Sequence, residues 1–240
     1  MIKVKIFLWG INQDKKLIEN MCQKSVNTAN HYKISINYLG IGTKFVEHKQ
    51  RLGILKTFLP KLDKNTIIIL MDGSDTLFND NLENIIDKFL KKNTKIFISA
   101  EKGFTYQYPQ YKKKFDTINE KHIYKYVNAG TFMGYAGNIL NMINDLFEID
   151  KKISANDQGL LGIWVHENIH NTSLVKMDVD TEIFWVTTGD WKKILSDTFD
   201  NSNIIINPNT LNRPGIIHYT GKGDWYLGKG YEKLYNCIMK

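Results

Sequence analysis

The chain has 240 residues and a mass of 27.9 kDa, enough to bury one substantial core but short for two full-sized domains. Hydrophobic residues make up 42% of it, and no apolar run approaches the roughly 18 residues that a membrane-spanning helix needs. The N-terminal stretch MIKVKIFLWG has no secretory pattern, and two cysteines are too few for a disulfide framework. We therefore expect one domain over residues 1–240, in the cytoplasm and without membrane association.

The formal net charge of +7 is compatible with an anionic partner, such as nucleic acid or a phosphorylated small molecule. The lysines are scattered, however, as at Lys112–Lys114 and Lys192–Lys193, and they are not interleaved with aromatic residues on one face. This distribution is typical of a solvated surface. We expect no nucleic-acid partner, although a non-enzymatic basic binding module stays open as an alternative.

The first half alternates strand-like apolar runs with segments of helical spacing. The strand-like runs cover residues 3–9, 33–39, 66–71 and 95–99, and the helical segments cover residues 13–30, 48–62 and 79–92. This alternation predicts an α/β fold with a mostly parallel central sheet flanked by helices. In such sheets ligands bind beyond the carboxyl ends of the strands.

The second half is less regular, and it contains neither a repeat nor a linker-like tract. It shows a glycine-rich strand-to-helix turn at residues 128–137, a helix at 155–166, short strands at 174–177 and 204–206, and a closing helix at 231–239. Without a linker, no boundary between domains is indicated.

A pair of carboxylates follows the most apolar strand. The run TIIILM at residues 66–71 leads directly into Asp72-Gly73-Ser74-Asp75. Hard oxygen ligands separated by small residues suit Mg²⁺ or Mn²⁺, although an Asx-turn in which Asp75 caps the next helix would use the same residues. The segment also resembles the aspartyl-phosphate motif of haloacid dehalogenase-type phosphatases. That motif needs its second Asp two positions after the first, whereas the spacing here is three, so a phosphatase or nucleotidyltransferase is the minor alternative.

Several later segments complete a resemblance to one family. The chain resembles the glycosyltransferase domain of procollagen lysyl hydroxylases and its stand-alone viral relatives. The segments that carry the resemblance, in chain order, are IIILMDGSDTLF, IFISAE, YVNAGTFMGYAG, NDQG, MDVDTEIFW and IIHYTGKGDW. They span most of the chain, and the resemblance implies a GT-A glycosyltransferase fold.

The resemblance implies a metal site made by Asp72, Asp75 and His218. Mn²⁺ accepts mixed oxygen and imidazole ligation, whereas Mg²⁺ prefers oxygen, so the implied metal is Mn²⁺. By itself, His218 would be better explained as a packed histidine on a strand. Asp178 and Asp180 offer a rival carboxylate pair, which we rank lower because their family counterparts lie in a structural turn.

The resemblance also implies a UDP-sugar site and residues for catalysis. The implied donor contacts are Leu8, Trp9, Gly10, Arg51, Asp72, Gly73, Ser74 and the loop Gly221-Lys222-Gly223. The implied catalytic residues are Asp157, Asn128 and Lys222. Core packing of Trp9, surface exposure of Arg51 and helix capping by Asn156 or Asp157 are the structural alternatives.

Within this family the implied reaction is transfer of glucose from UDP-glucose to galactosyl-hydroxylysine of collagen-like polypeptides. UDP-galactose transfer to hydroxylysine, or another acceptor, stays open. KGFTYQYPQY stands where the family has a Cys-Trp-Pro-containing stretch, so Tyr106 and Tyr108 are candidates for an acceptor-side platform. Asn156 replaces the family's second acidic residue beside Asp157. A homodimer is an open expectation that no heptad or apolar stripe supports.

Overall fold

The computed structural model describes residues 2–105, 109–118, 120–196, 204–220 and 225–240. The strands are β1 (Val4–Asn12), β2 (Asn37–Ile41), β3 (Ile67–Asp72), β4 (Thr76–Phe78), β5 (Ile96–Glu101), β6 (Tyr126–Tyr135), β7 (Val175–Asp178), β8 (Phe184–Val186) and β9 (Ile216–His218). The helices are α1 (Lys15–Met21), α2 (Gln23–His31), α3 (Gln50–Phe58), α4 (Leu82–Lys91), α5 (Pro109–Ile118), α6 (Ala136–Asp150), α7 (Asp157–Asn168), α8 (Trp191–Ser196) and α9 (Trp225–Ile238), with a 3-10 turn at Leu59–Lys61.

The strands form two sheets. The larger has the order β2-β1-β3-β6-β5-β7, and the smaller has the order β4-β9-β8. Strands β2, β1 and β3 are parallel, β6 runs antiparallel to both β3 and β5, and β7 is parallel to β5. The α/β class with a largely parallel sheet flanked by helices is confirmed, with β6 as the strand that makes the sheet mixed.

Strand β3 lies at the centre of the larger sheet and is buried on both faces. Ile67, Ile69 and Met71 belong to one core cluster, together with residues of α1, α2 and α4. Ile68 and Leu70 belong to the other cluster, together with residues of α3, α6 and α7. A strand that is covered by helices on both sides needs an apolar residue at every position, which explains TIIILM. Its carboxyl end places Asp72 at the edge where a ligand can approach.

Two predicted boundaries differ from the structure for local reasons. The single helix expected over residues 13–30 is two helices that meet at Cys22, whose backbone leaves the helical region. Residues 204–206, which the structure describes, do not form the predicted strand. The Asn79 side chain instead accepts from Ile205 N and donates to Ile205 O (3.0 and 2.8 Å), so it satisfies the backbone groups that a neighbouring strand would have satisfied.

The glycine-rich segment 128–137 is mostly strand β6, and α6 follows it directly. Its glycines allow neighbouring segments of the chain to approach closely and do not form the predicted turn. A Cβ on Gly134 would lie 2.5 Å from the Lys95 carbonyl oxygen across the β5–β6 pairing. Sequence patterns alone do not separate these two uses of glycine.

Asp178 closes the turn that leads from β7 towards β8. Its carboxylate accepts the backbone N–H groups of Glu182, Ile183 and Phe184 at 2.9, 2.8 and 2.7 Å. Burial raises the pKa of Asp178 to about 6, and these three donors oppose that effect. Asp180 is exposed and lies 3.4 Å from His122. The rival carboxylate pair is therefore split between a structural turn and the surface.

Across the described residues, no helix combines the length and the apolar character needed to cross a bilayer. The expectation of one domain over residues 1–240 stays a prediction.

We expect Asp178→Ala to lower the free energy of unfolding by on the order of 3 kcal/mol, because two buried N–H groups and one partly buried N–H group would lose their acceptor. Chemical denaturation followed by circular dichroism measures this change. The matched control is Asp180→Ala, which should stay within about 0.5 kcal/mol of wild type. An equal loss in both variants would contradict the assignment of Asp178 to the turn.

Candidate metal and donor site

Three strand ends bring Asp72, Asp75 and His218 together. Asp72 ends β3, Asp75 precedes β4, and His218 ends β9, which pairs with β4. His218 Nε2 lies 3.5 Å from Asp72 Oδ2 and 3.6 Å from Asp75 Oδ1. One ligand atom from each residue lies within 4.8 Å of the others, a set that no other His, Cys, Asp or Glu residues form in the described part of the chain. The predicted metal ligands therefore share one site.

The loop that carries the two carboxylates is held by its neighbours. The Ser25 hydroxyl on α2 lies 2.6 Å from the carbonyl oxygens of both Gly73 and Thr76, and it can donate its single hydrogen to either. Tyr219 N donates to the Asp75 carbonyl at 2.7 Å. A Cβ on Gly73 would lie 2.6 Å from the Trp9 carbonyl oxygen, so only glycine lets the loop approach the end of β1. The carboxylates are thus preorganised by backbone contacts.

The electrostatics of the cluster favour a cation. Asp75 Oδ1 is buried and makes no hydrogen bond to any described residue, whereas the buried Asp72 Oδ1 is paired with Arg51. Burial raises the pKa of Asp72, while Arg51 opposes this increase. Burial lowers the pKa of His218, but the Asp75 and Asp72 carboxylates outweigh it and leave that pKa above its ordinary value. Buried anionic oxygens beside an imidazole nitrogen fit a divalent ion with mixed ligands, such as Mn²⁺.

Asn128 on β6 orients the histidine. Its amide oxygen lies 3.1 Å from His218 Nδ1 and also accepts the Gly130 N–H at 2.9 Å. An amide oxygen only accepts hydrogen bonds, so Nδ1 carries a proton and Nε2 faces the carboxylates. Partners of this kind fix the orientation of metal-binding histidines. Asn128, which the resemblance implies as a catalytic residue, is buried and contacts His218 in this structure.

Gly130 forms the floor of the cluster. A Cβ at this position would lie 2.1 Å from His218 Cε1 and 2.9 Å from Asp72 Oδ2. Because these atoms belong to two of the three candidate ligands, a side chain on β6 would displace both. The Asn-Ala-Gly motif was visible in the sequence, but its contact with His218 and Asp72 was not.

Arg51 and Trp9 lie beside the candidate ligands. Arg51 Nη2 is 2.6 Å from Asp72 Oδ1, and Nη1 is 3.7 Å from Asp157 Oδ2. The guanidinium carbon lies 5.5 Å from the centre of the Trp9 ring, and Trp9 is the β1 partner of Asp72. The structure therefore brings Trp9, Arg51, Asp72 and Asp157 to one place.

The other predicted donor contacts differ in what they can offer. The Leu8 side chain is fully buried in a core cluster, so only its backbone is available to a ligand. Gly10 packs against α1, since a Cβ there would lie 2.5 Å from Ile18 Cγ2. Ser74 is exposed in the carboxylate loop. Gly221, Lys222 and Gly223 lie outside the described residues, as do Tyr106 and Tyr108.

Asp157 is the first residue of α7, but it is not the cap. Asn156 caps the helix by accepting the Gly159 N–H at 2.7 Å. Asp157 Oδ1 accepts the Gln158 N–H at 2.9 Å, and Oδ2 faces Arg51. The positive end of the helix dipole stabilises a carboxylate at this position. Asn156 is therefore the residue that caps the helix, and Asp157 faces the candidate site.

Sequence analysis missed two buried residues near the site, Glu101 and Gln158. Gln158 donates to Glu101 Oε1 and to the Thr105 carbonyl (2.8 and 2.7 Å), and it accepts the Ala129 N–H at 3.1 Å. Glu101 also accepts from Thr188 at 2.9 Å, and burial raises its pKa. Glu101 ends the apolar strand β5 much as Asp72 ends β3, and that position was the signal available in the sequence.

Comparison with known proteins identifies the class and then the family. The fold is similar to that in the crystal structure of a glycosyltransferase involved in the glycosylation of the major capsid of PBCV-1. The TM-score is 0.56 at 12% sequence identity, over 99% of this chain and 100% of that one. The predicted glycosyltransferase fold is thereby confirmed. The sequence model of the PLOD GT domain matches residues 18–235, and the chain belongs to this glycosyltransferase family. No curated protein matches the chain.

We expect Gly130→Ala to weaken Mn²⁺ binding by at least about tenfold, because the new methyl group would displace His218 and Asp72. Isothermal titration with MnCl₂ measures the change. Gly53→Ala on α3 is the matched control, since a Cβ there meets no atom within 4 Å. Unchanged affinity in Gly130→Ala would argue against ligation by these two residues.

We expect Asn128→Ala to weaken Mn²⁺ binding by about 10- to 100-fold without loss of folding, because His218 would lose the acceptor that orients it. Titration with MnCl₂ at a pH where the imidazole is neutral measures the affinity, and a circular dichroism spectrum measures folding. Together they separate loss of metal binding from loss of structure. If the variant is folded and binds Mn²⁺ like wild type, Asn128 does not orient a ligand.

Proposed function

We propose that this glycosyltransferase uses a divalent metal ion, Mn²⁺, to transfer a sugar from a UDP-sugar to an acceptor hydroxyl group. The observation that carries the proposal is the cluster of Asp72, Asp75 and His218 at the carboxyl ends of the strands. Family membership supports a nucleotide-sugar donor. The Asp75 oxygen that makes no hydrogen bond in the described chain, beside His218, supports a cation at this position.

The metal would be held by one oxygen each from Asp72 and Asp75 and by His218 Nε2. When bound, it would supply a Lewis acid that stabilises negative charge on the leaving diphosphate. The residues of the chain then have three tasks. Asn128 keeps Nε2 directed at the site, Gly130 leaves room for the ligands, and Ser25 holds the loop that carries the carboxylates.

The donor would bind between the end of β1 and α3. Arg51 Nε is buried and makes no hydrogen bond within the described chain, so it has a donor to offer to a ligand. Trp9 lies against the guanidinium, and Gly73 and Ser74 bring backbone groups to the same edge. Lys222 is proposed as the second positive charge on the leaving diphosphate, and Gly221 and Gly223 as its flexible neighbours.

Asp157 is proposed to act on the acceptor side or on the transferred sugar. It is 9% exposed, it lines a small cavity with Trp9, Arg51 and Ala129, and it is oriented by the first turn of α7. A carboxylate at this place can accept a hydrogen bond from a sugar or acceptor hydroxyl group. Its charge also balances that of Arg51.

The finer proposal is that the donor is UDP-glucose and the acceptor is galactosyl-hydroxylysine in a collagen-like polypeptide. It rests on membership of the PLOD GT domain family. UDP-galactose with a hydroxylysine acceptor is the alternative within the same chemistry. A homodimer remains an expectation.

A phosphatase is disfavoured by the geometry of the same loop. Two residues after Asp72, where an aspartyl-phosphate mechanism needs its acid, the chain has the exposed Ser74. Asp75 instead faces His218 as a candidate ligand. A basic binding module would not require this cluster.

We expect Mn²⁺-dependent release of UDP from UDP-glucose that rises when a galactosyl-hydroxylysine peptide is added. EDTA should abolish it, and Asp75→Ala should lower it by about 100-fold or more, because charge stabilisation on the leaving group would be lost. A coupled UDP assay over a panel of UDP-sugars measures both effects. Asp63→Ala, which removes an exposed carboxylate paired with Lys3, is the control. A folded protein that releases UDP from no UDP-sugar would contradict the proposal.

A further inference from the structure

Arg51 divides its charge between two carboxylates with different proposed tasks. One terminal nitrogen lies 2.6 Å from Asp72 and the other lies 3.7 Å from Asp157. The side chains of Arg51 and Asp157 are 15% and 11% exposed, so water screens the group only weakly. The planar guanidinium can face two acceptors at once, which an ammonium group cannot do with the same geometry.

Asp72 uses a different oxygen for each of its neighbours. Arg51 approaches Oδ1, whereas Oδ2 faces His218 Nε2 at 3.5 Å and points to the candidate metal position. Arg51 therefore does not block the metal ligand atom. It places a permanent positive charge on the opposite side of the same carboxylate, where that charge opposes a divalent ion.

The cluster needs such a charge before a metal ion arrives. The negative charges of Asp75 and Asp157 both disfavour the charged form of Asp72, because like charges lie close together in a partly buried site. The favourable contribution from Arg51 offsets this repulsion. His218 contributes a second positive charge only when it is protonated.

We propose that Arg51 is an internal counter-cation that stabilises the metal-free site and lowers its affinity for the metal ion. This inference rests on the proposed metal site and gives Arg51 an electrostatic role in addition to its expected contact with the donor. A purely supporting role predicts the opposite sign. If Arg51 only held Asp72 in place, removing it would loosen a ligand and weaken metal binding.

The test compares Mn²⁺ binding and thermal unfolding of the full chain with and without the charge. In Arg51→Gln we expect Mn²⁺ to bind about tenfold more tightly, since a unit charge a few ångströms from the ion is removed. We expect a lower Tm in EDTA than for wild type, and a larger rise in Tm when MnCl₂ is added. Titration calorimetry and differential scanning calorimetry measure these effects without any sugar substrate.

Two further variants separate charge from shape. Arg51→Lys loses the two-sided geometry but keeps a positive charge near the cluster, so its Mn²⁺ affinity should stay within about threefold of wild type. Lys49→Gln removes a neighbouring pair with Asp150, at 3.0 Å, that lies away from the cluster, and it should leave Mn²⁺ affinity unchanged. If Arg51→Gln folds only when Mn²⁺ is present, that result supports the proposal directly.

The outcomes distinguish this inference from the proposed function. Wild-type binding of Mn²⁺ together with weaker binding by Arg51→Gln would overturn the role of Arg51 and leave the metal site standing. If Arg51→Gln does not fold with or without Mn²⁺, the test rests on Arg51→Lys. Weaker binding of Mn²⁺ by Arg51→Lys then overturns the counter-cation role, and unchanged binding supports it. If neither wild type nor any variant binds Mn²⁺, both the metal-dependent function and this inference fail.

Discussion

The candidate site depends on carboxylates that are held close together and partly removed from water. Within the described chain Asp75 Oδ1 makes no hydrogen bond, and Asp72 Oδ1 is paired with the Arg51 guanidinium. Such groups are costly unless a positive charge lies nearby. Arg51 provides that charge beside Asp72, and the arrangement leaves a position between the three candidate ligands that a divalent ion can occupy. Burial, charge and the proposed metal affinity are therefore properties of one cluster.

Backbone geometry makes this cluster attainable. The last residue of β3 carries the first carboxylate, and the pairing of β4 with β9 brings His218 beside the loop. Gly73 and Gly130 allow neighbouring strands to approach closer than a side chain permits. Ser25 on α2 then fixes the loop from the opposite side. The fold contributes to function here by holding ligand atoms at fixed positions before any ligand binds.

Local patterns in the sequence were enough to predict part of the fold and part of the candidate site. The apolar run of β3 predicted a buried strand, and the position of Asp72 and Asp75 after it predicted a ligand site. The prediction of His218 as a metal ligand required the family resemblance, because no local pattern distinguishes a ligand histidine from one packed in the core. The break at Cys22, the Asn79 contact with Ile205 and the packing of Gly130 on His218 depend on contacts between distant segments. The role of Gln158 could not be predicted either, because its contacts with Ala129, Glu101 and Thr105 join distant segments.

The most direct test of the account is the position of the metal itself. Crystals grown with MnCl₂ and measured near the manganese absorption edge should show one anomalous peak between Asp72, Asp75 and His218. The peak should lie roughly 2 to 2.5 Å from a carboxylate oxygen of each aspartate and from Nε2. A peak bound elsewhere, or no peak at saturating Mn²⁺ in crystals of the folded protein, would contradict the central claim.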